Sequence, residues 1–257
     1  MTQSTQQVQP MTTQQQSRIH NRDTFLANIA SKLQRERITE PVARPALKHN
    51  CHHQVMAEYS QDELKEALLA YAQSSLGANA LVTTKAQFSN LLRMECLNYC
   101  DKAPTTNQEI LLSADERLLD LIDSDAFAGL SNEVNVWDNH QGYERNIALA
   151  ERAKVGVVFA EQALAESGTM VLYSQAKQGR AVSLLPEASI FVVPKSALLA
   201  RLTQATAELH RKAAAGERMP SCVNFISGPS STADIELIKV VGVHGPVYAS
   251  YIVIDDL

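Results

Sequence analysis

Apolar residues along this chain fall into short blocks, and the blocks alternate between a helical and an extended repeat. Leu64, Leu68 and Tyr71 recur at about one helical turn, which predicts a helix. Residues 155–159 are mostly β-branched or aromatic, which is typical of a buried strand. In chain order the pattern predicts strands at 81–83, 109–112, 133–137, 155–159, 170–173, 190–193, 222–226 and 247–254, and helices at 62–74, 86–100, 114–122, 143–152, 198–216 and 232–239.

Strands that alternate with helices in this way predict βαβ units. The fold class is therefore α/β, with a mostly parallel open sheet flanked by helices, expected over residues 61–257. Ahead of it, Phe25, Ile29 and Leu33 mark an amphipathic helix over residues 21–37. With a proline-containing linker, this helix forms a helical N-terminal arm over residues 18–60. Residues 1–17 are rich in Gln and Thr, which predicts a disordered tail.

Composition excludes some classes of protein. Apolar residues make up 45% of the 257 positions, which permits a sizeable core, and the net charge is −5. Nucleic acid is not an expected partner, because no block of basic residues occurs. No apolar run approaches the ~18 residues of a transmembrane segment, and the polar N-terminus does not resemble a secretory signal. We therefore expect a cytoplasmic protein.

The four cysteines, Cys51, Cys96, Cys100 and Cys222, are too few in a chain of this length to indicate a disulfide framework. Cys96 and Cys100 share a predicted helix face, where core packing is the expected use, and no second pair has zinc-like spacing. The sequence also lacks the cysteine runs of an iron–sulfur protein and the glycine motif that binds dinucleotides. We predict no metal site and no cofactor.

The segment from residue 221 to residue 255 carries the clearest candidate for a binding site. A predicted strand is followed by a sharp break at Gly228 and then by the helix predicted at 232–239, with Ser231 as its N-cap and Asp234 at capping-box spacing. The glycine lets a ligand approach the backbone, and the first turn of a helix favours an anion. The alternative is that this junction only turns the chain. The candidate ligand-binding residues here are Gly228, Pro229, Ser230, Ser231, Thr232 and Asp234, and the three hydroxyl residues are expected to cradle a phosphate or carboxylate.

Two residues are candidates for catalysis. Glu166 lies on a predicted tight turn whose other members, Ser167, Gly168 and Thr169, are candidate ligand-binding residues; the alternative is that the turn only shapes a hairpin. His244, next to the candidate binding residue Gly245, has a side chain that transfers protons near neutral pH, or it holds its corner by bonding a main-chain carbonyl. Ligands in open α/β sheets bind beyond the carboxyl ends of the strands, so we expect the Glu166 and Gly228 bends to meet there.

Two basic residues are weaker candidates. We expect Arg180 and Lys195 near strand starts, where either cation could neutralise an anionic ligand. The alternative for each is an ordinary surface charge.

Two stretches of the sequence together resemble a known family. Ser-Gly-Pro-Ser-x-Thr-Ala-Asp-Ile-Glu, followed by Gly-Val-His-Gly-Pro, is similar to the C-terminal signature of the lactate-utilisation C (LutC/YkgG) proteins. Residues 159–161 and 165–172 resemble that family's other signature, and the resemblance covers roughly residues 60–257. It implies the fold shared by sugar-phosphate isomerases (NagB and RpiA) and CoA transferases.

The resemblance also implies a function. Proteins of this family belong to a three-component system that oxidises L-lactate to pyruvate, and the partner subunits carry the iron–sulfur and redox-cysteine motifs. This chain is then expected to be a soluble, non-redox component that binds a small anionic metabolite, its partner subunits, or both. Assembly of several copies of the chain into a homo-oligomer is also an open alternative.

Two other functions stay open beside this one. The Glu-x-Gly turn at Glu166 resembles the nucleophilic glutamate turn of CoA transferases, although Ser167 stands where those enzymes commonly carry Asn. This similarity implies a free-standing enzyme with CoA-transferase or isomerase chemistry. The third alternative is a sensor of small anions without catalysis.

Overall fold

The computed structural model describes residues 20–43, 45–102, 108–234 and 236–257, so the tail predicted at residues 1–17 lies outside the described residues. The chain divides into two compact units, Met1–His49 and Asn50–Leu257. In the first unit, helix α1 spans Arg22–Lys32 and stops short of the predicted end at residue 37. It stops because Gln34 adopts a left-handed conformation (φ 51°) and the N–H of Arg35 turns back to the carbonyl of Ala30. The domain boundary expected at residues 60–61 stays a prediction.

The second unit contains the α/β fold. Its helices and strands are, in chain order, α2 (Gln61–Tyr71), β1 (Asn79–Thr83), α3 (Lys85–Asp101), β2 (Glu109–Leu112), α4 (Glu116–Leu119), β3 (Val134–Val136), α5 (Gly142–Arg152), β4 (Ala153–Phe159), β5 (Gln162–Leu164), β6 (Thr169–Tyr173), α6 (Ala181–Leu184), β7 (Ala188–Pro194), β8 (Leu198–Leu199), α7 (Leu202–Ala214), β9 (Val223–Ser227), β10 (Ser231–Thr232), β11 (Val240–Val241) and β12 (Tyr248–Ile254). None of the described helices is long and apolar enough to cross a membrane.

Six of the strands form a central parallel sheet in the order β1-β12-β7-β4-β2-β3. Every residue of β4 is buried, because helices cover both faces of the sheet. On one face, α3 and α4 contribute Phe88, Leu92 and Leu118 to a core cluster with Val157. On the other face, α2, α5 and α6 pack against side chains such as Phe191. The predicted α/β class with a mostly parallel, helix-flanked sheet is confirmed.

Cys96 and Cys100 lie in the core between α3 and the sheet, and both are free thiols. Burial raises the pKa of the Cys96 thiol well above its usual value, so this thiol stays protonated. Core packing, the use expected from the sequence, is confirmed for both cysteines.

The remaining strands form two smaller sheets. A four-stranded sheet in the order β8-β5-β6-β9 packs beside the central sheet, and β10 pairs with β11 in an antiparallel hairpin. The sequence did not predict β5 or β8, which have three and two residues. The helix predicted from Leu198 begins at Leu202, because Leu198 pairs with Ala163 in the small sheet.

The helix predicted at residues 232–239 is wrong. Ser231 and Thr232 form β10 and pair with Val241 and Val240, and the chain between the two strands turns through left-handed conformations at Glu236 and Leu237. Ile235, which falls within the stretch predicted to be helical, lies outside the described residues. Ser231 is therefore not an N-cap, and the N–H of Asp234 donates to Oγ1 of Thr232 at 3.3 Å instead.

Candidate functional site

The two glycine bends expected from the sequence lie side by side. Strands β6 and β9 are antiparallel, and their pairing places Thr169 opposite Ser227, so Gly168 and Gly228 flank the same end of this strand pair. The hydroxyl group of Tyr251, on β12, accepts a hydrogen bond from the N–H of Gly228 at 2.6 Å and donates one to the carbonyl of Gly168 at 2.8 Å. Burial raises the pKa of Tyr251 to about 12, so the hydroxyl keeps its proton.

Both bends need glycine. Gly168 and Gly228 have φ angles of 58° and 69°, a region that side chains with a Cβ atom rarely adopt. Leu76, which follows α2, packs against both: a Cβ on Gly168 would lie 2.6 Å from Cδ1 of Leu76, and a Cβ on Gly228 would lie 2.8 Å from its Cβ. Hydroxyl groups also join the two bends, since Oγ1 of Thr169 lies 2.7 Å from Oγ of both Ser167 and Ser227.

Glu166 lies on the first bend, where it is held by the segment that precedes α7. Its backbone N–H donates to the carbonyl of Ala200 at 3.0 Å, and its carboxylate pairs with Nε of Arg201 at 2.8 Å. The three best-formed cavities of the described residues are lined by none of the four residues of this bend, Glu166, Ser167, Gly168 and Thr169. The geometry therefore gives no specific support to an enzyme that uses Glu166 as its nucleophile.

The second bend borders a cavity of about 330 Å³, which we call the Gly228 cavity. Six of the candidate residues line it: Gly228, Pro229, Ser230, Ser231, His244 and Gly245. Its wall also includes Ser189, Phe191 and Ala249 of the central sheet. Thr232 and Asp234, which were expected to join this site, are not among its lining residues.

The polar groups of the Gly228 cavity differ from those expected. The predicted mechanism relied on the N-terminus of a helix, and no helix begins at residue 232. The backbone N–H of Ser230 is also occupied, because it donates to the carbonyl of Pro246 at 2.9 Å. Within the described part of the chain, the hydroxyl groups of Ser230 and Ser231 and the imidazole of His244 have no hydrogen-bond partner. These three side chains are therefore candidates for binding a ligand.

The Gly228 cavity lies near the amino ends of the central strands, not the carboxyl ends expected from the general rule. Its residues Ser189 and Ala249 are the second residues of β7 and β12, and they pair with each other. The expectation was wrong because the Gly228 bend follows β9 of the small sheet and the His244 corner precedes β12. At the carboxyl ends, charged side chains neutralise one another instead.

The charges at those carboxyl ends form two clusters. Arg117 pairs with Asp115 and Glu161, each at 2.7 Å, and both carboxylates raise the pKa of its guanidinium. Lys195, a weaker candidate for anion binding, instead pairs with Asp62 and Asp255, each at 3.1 Å. Arg117 and Lys195 are therefore each already paired with two carboxylates.

Two further cavities border the first. The His244 cavity, of about 500 Å³, shares His244 and Gly245 with it and includes the buried Lys154, whose ammonium pairs with Glu187 at 2.6 Å. The Trp137 cavity, of about 890 Å³, is the largest of the three. Leu184, at the end of α6, lines all three cavities.

Most residues of the Trp137 cavity were missed by sequence reasoning. Arg180 was considered as a cation for an anionic ligand, but Trp137, Tyr143, Tyr173 and Arg218 were not considered. They come from separate parts of the chain, so no local motif joins them. The available signals were that Trp137 is the only tryptophan and that Gly179 directly precedes Arg180.

The comparisons with known proteins agree with this α/β architecture. A family model described as "LUD domain" matches residues 49–254. In solved structures, a DUF162 family protein from Deinococcus radiodurans covers 76% of this chain and 98% of its own, with a TM-score of 0.51 and 18% identity, which supports the fold alone. The chain belongs to the LUD domain family.

Relatives match almost the full length of the chain. YkgG of Escherichia coli K12, itself described as uncharacterized, is 45% identical over 92% of this chain and 99% of its own. Lactate utilization protein C of Halalkalibacterium halodurans is 42% identical over 93% of this chain and 99% of its own. Lactate utilization protein C of Geobacillus kaustophilus is 39% identical over 93% of this chain and 98% of its own. The LutC/YkgG resemblance seen in the sequence is confirmed.

Proposed function

We propose that this chain is a non-redox component of a lactate-utilisation system and that it binds a small anionic metabolite in the Gly228 cavity. The observation that carries the first part is the 42% identity, over 93% of the chain, to a protein named lactate utilization protein C. Similarity at this level over nearly the whole length favours a shared role. The partners would be the iron–sulfur and redox subunits of a lactate oxidation complex.

The contents of the Gly228 cavity support the second part. Its volume of about 330 Å³ suits a small metabolite, at the lower end of the ~300–1,000 Å³ found for ligand pockets. The described residues that line it include no Asp or Glu, so a carboxylate ligand meets no like charge there. The hydroxyl groups of Ser230 and Ser231 can donate to a carboxylate, and so can a ring N–H of His244.

Isothermal calorimetry on the isolated chain tests the cavity, with L-lactate, pyruvate and inorganic phosphate as probes. We expect at least one of these anions to bind, and the double substitution Ser230→Ala with Ser231→Ala to weaken that binding by ~10-fold or more, because two donors are lost. Ser131→Ala, which removes an exposed hydroxyl far along the chain, is the control and should leave the affinity unchanged. Binding of none of the three probes, or equal binding by the double variant, would reject this site.

Reconstitution tests the role in the system. The purified chain is mixed with the iron–sulfur and redox subunits, and lactate-dependent reduction of a dye is measured with and without it. We expect the rate to depend on the chain, and His244→Ala to lower it while the melting temperature stays the same. An equal rate of dye reduction without the chain would show that the chain is not needed for lactate oxidation, even if it binds an anion.

A further inference from the structure

The Trp137 cavity contains none of the residues proposed to hold the small anion. Its volume of about 890 Å³ lies near the upper end of the range for ligand pockets, so a molecule the size of lactate would fill only a fraction of it. At its rim, Tyr143, Leu185 and Met219 leave 78%, 42% and 38% of their surfaces exposed. Exposed apolar side chains gathered around a cavity indicate a binding surface.

One wall of this cavity is aromatic and held in place. Nε1 of Trp137 donates to the carbonyl of Ala176 at 3.0 Å, and its backbone N–H donates to the carbonyl of Leu112 at 2.8 Å. Gly179 lies against the indole, and a Cβ at that position would come within 2.2 Å of Cζ2. Tyr143 and Tyr173 add two more aromatic rings to the lining. A fixed flat surface of this kind suits a planar ring.

The cavity is also positively charged. Arg180 and Arg218 line it, and no carboxylate of the described residues lies within 4.0 Å of either guanidinium. By contrast, Arg117, Arg152 and Arg201 each pair with a carboxylate. No Asp or Glu stands among the described lining residues, in a chain whose net charge is −5. Two unpaired guanidinium groups favour a ligand with phosphate groups, which they can bind through paired N–H donors.

We propose that the Trp137 cavity is a binding site for a nucleotide, whose base stacks on Trp137 and whose phosphates lie against Arg180 and Arg218. A small inorganic anion would leave the aromatic wall uncovered, and an uncharged ring would leave both guanidinium groups unpaired. The aromatic wall, the two guanidinium groups and the size of the cavity together favour a ligand that carries both a planar ring and phosphate groups. This site is independent of the anion proposed for the Gly228 cavity, because the two share Leu184 but no polar side chain.

Three probes separate the contributions of the planar ring and of the phosphate charge to binding. ADP carries both the ring and the charge, adenosine carries only the ring, and pyrophosphate carries only the charge. Calorimetry should show that ADP binds and that each of the other two binds at least ~10-fold more weakly. Trp137 is the only tryptophan of the chain, so its fluorescence should change with ADP at the same concentrations. Equal affinity for pyrophosphate or for adenosine would overturn the proposal, as would the absence of ADP binding.

Substitutions locate the site. Arg180→Gln and Arg218→Gln should each weaken ADP binding by ~10-fold or more, since each removes charge-assisted hydrogen bonds to a phosphate. Arg211→Gln is the matched control, because this exposed arginine on α7 pairs with Glu208 and lies outside the cavity; its ADP affinity should not change. The double substitution at Ser230 and Ser231 should also leave ADP binding intact. Unchanged affinity in both cavity variants would overturn the site, and circular dichroism checks that each variant is folded.

Discussion

The hydroxyl group of Tyr251 is the contact that joins the two glycine bends to the central sheet. It is buried, and it bonds both the N–H of Gly228 and the carbonyl of Gly168. Removing a buried partner leaves backbone groups without a hydrogen bond, which costs far more than the loss of an exposed one. The position of this tyrosine therefore matters to the stability of both bends.

Tyr251→Phe should lower the free energy of unfolding by ~1–3 kcal/mol, because two buried backbone groups lose their partner. Urea denaturation followed by circular dichroism measures this. Tyr59→Phe, at a tyrosine whose side chain is 47% exposed, serves as the control and should change stability little. An equal decrease in the free energy of unfolding of the two variants would mean that the hydrogen bonds of the Tyr251 hydroxyl do not stabilise the fold more than an exposed hydroxyl does.

Gly168 and Gly228 also allow a sharp comparison with Gly77. All three have positive φ angles, but a Cβ on Gly77 would meet nothing within 4 Å, whereas a Cβ on either of the others would strike Leu76. Gly77→Ala should therefore cost about 1 kcal/mol, from backbone strain alone. Gly168→Ala and Gly228→Ala should each cost about 1–3 kcal/mol more, from overpacking. Denaturation midpoints of the three variants check the order.

Leu76→Ala should relieve only one of these clashes. The substitution removes Cδ1, the atom closest to a Cβ on Gly168, but keeps Cβ, the atom closest to a Cβ on Gly228. In double-mutant cycles, Leu76→Ala should offset part of the cost of Gly168→Ala and almost none of the cost of Gly228→Ala. Identical coupling at both sites would contradict this packing.

At the scale of elements, the ends of α2, β7 and β12 are joined by charged side chains. Asp255 follows β12, and its carboxylate pairs with Lys65 of α2 at 2.7 Å and with Lys195 after β7 at 3.1 Å. Hydrogen bonds from Lys65 and then Lys195 hold the pKa of Asp255 below its usual 3.8. A carboxylate with a lower pKa in the folded state stabilises that state above the unfolded pKa, and this contribution is lost as the pH falls.

Asp255→Asn should therefore destabilise the protein at neutral pH. The difference from the natural chain should shrink as the pH falls below about 5, because the unfolded carboxylate and then, at a lower pH, the folded one take up a proton. Urea unfolding at several pH values measures the difference. Asp120→Asn, at an exposed carboxylate after α4, is the control and should show no such narrowing. A difference that stays constant with pH would rule out the ion pairs as its source.

The elements that sequence patterns predicted well are those whose burial is uniform. Strand β4 is buried at all positions, and α2 has its apolar residues at helical spacing over a capping box in which Ser60 and Glu63 bond each other. Strands of two or three residues, such as β5 and β8, are too short to show a period. The helix predicted at 232–239 failed because Ser231 and Asp234 are equally typical of turns, and the apolar residues after them do not enter the core: Leu237 is 92% exposed.

The candidate site was predicted only where it depended on local chemistry. The two glycine bends have the sharp turns expected of them, and six of the residues around the second bend line one cavity. The separation of Glu166 from that cavity could not be predicted, because it depends on the pairing with Arg201, a residue of another segment. The Trp137 cavity could not be predicted for the same reason, because its lining comes from three separate stretches of the chain, 137–147, 173–185 and 218–221.

On the scale of the whole molecule, both larger sheets and their core clusters lie within residues 50–257. The match to the LUD domain begins at residue 49. A chain that starts at Asn50 should therefore fold by itself and unfold cooperatively at nearly the same urea midpoint as the full chain. Urea denaturation of the shortened and the full chain, followed by circular dichroism, checks this. A large loss of stability, or an unfolded product, would show that the first 49 residues complete the fold.

The place of β12 in the central sheet, between β1 and β7, has a consequence for synthesis on the ribosome. The nascent chain exposes β1 and β7 as two open edges until residues 248–254 have emerged. At 5–20 residues per second, the stretch from β7 to β12 takes on the order of 3–10 s to translate. During that interval both edges can pair with other chains, so chaperones that shield unpaired strands would act most usefully before β12 has emerged.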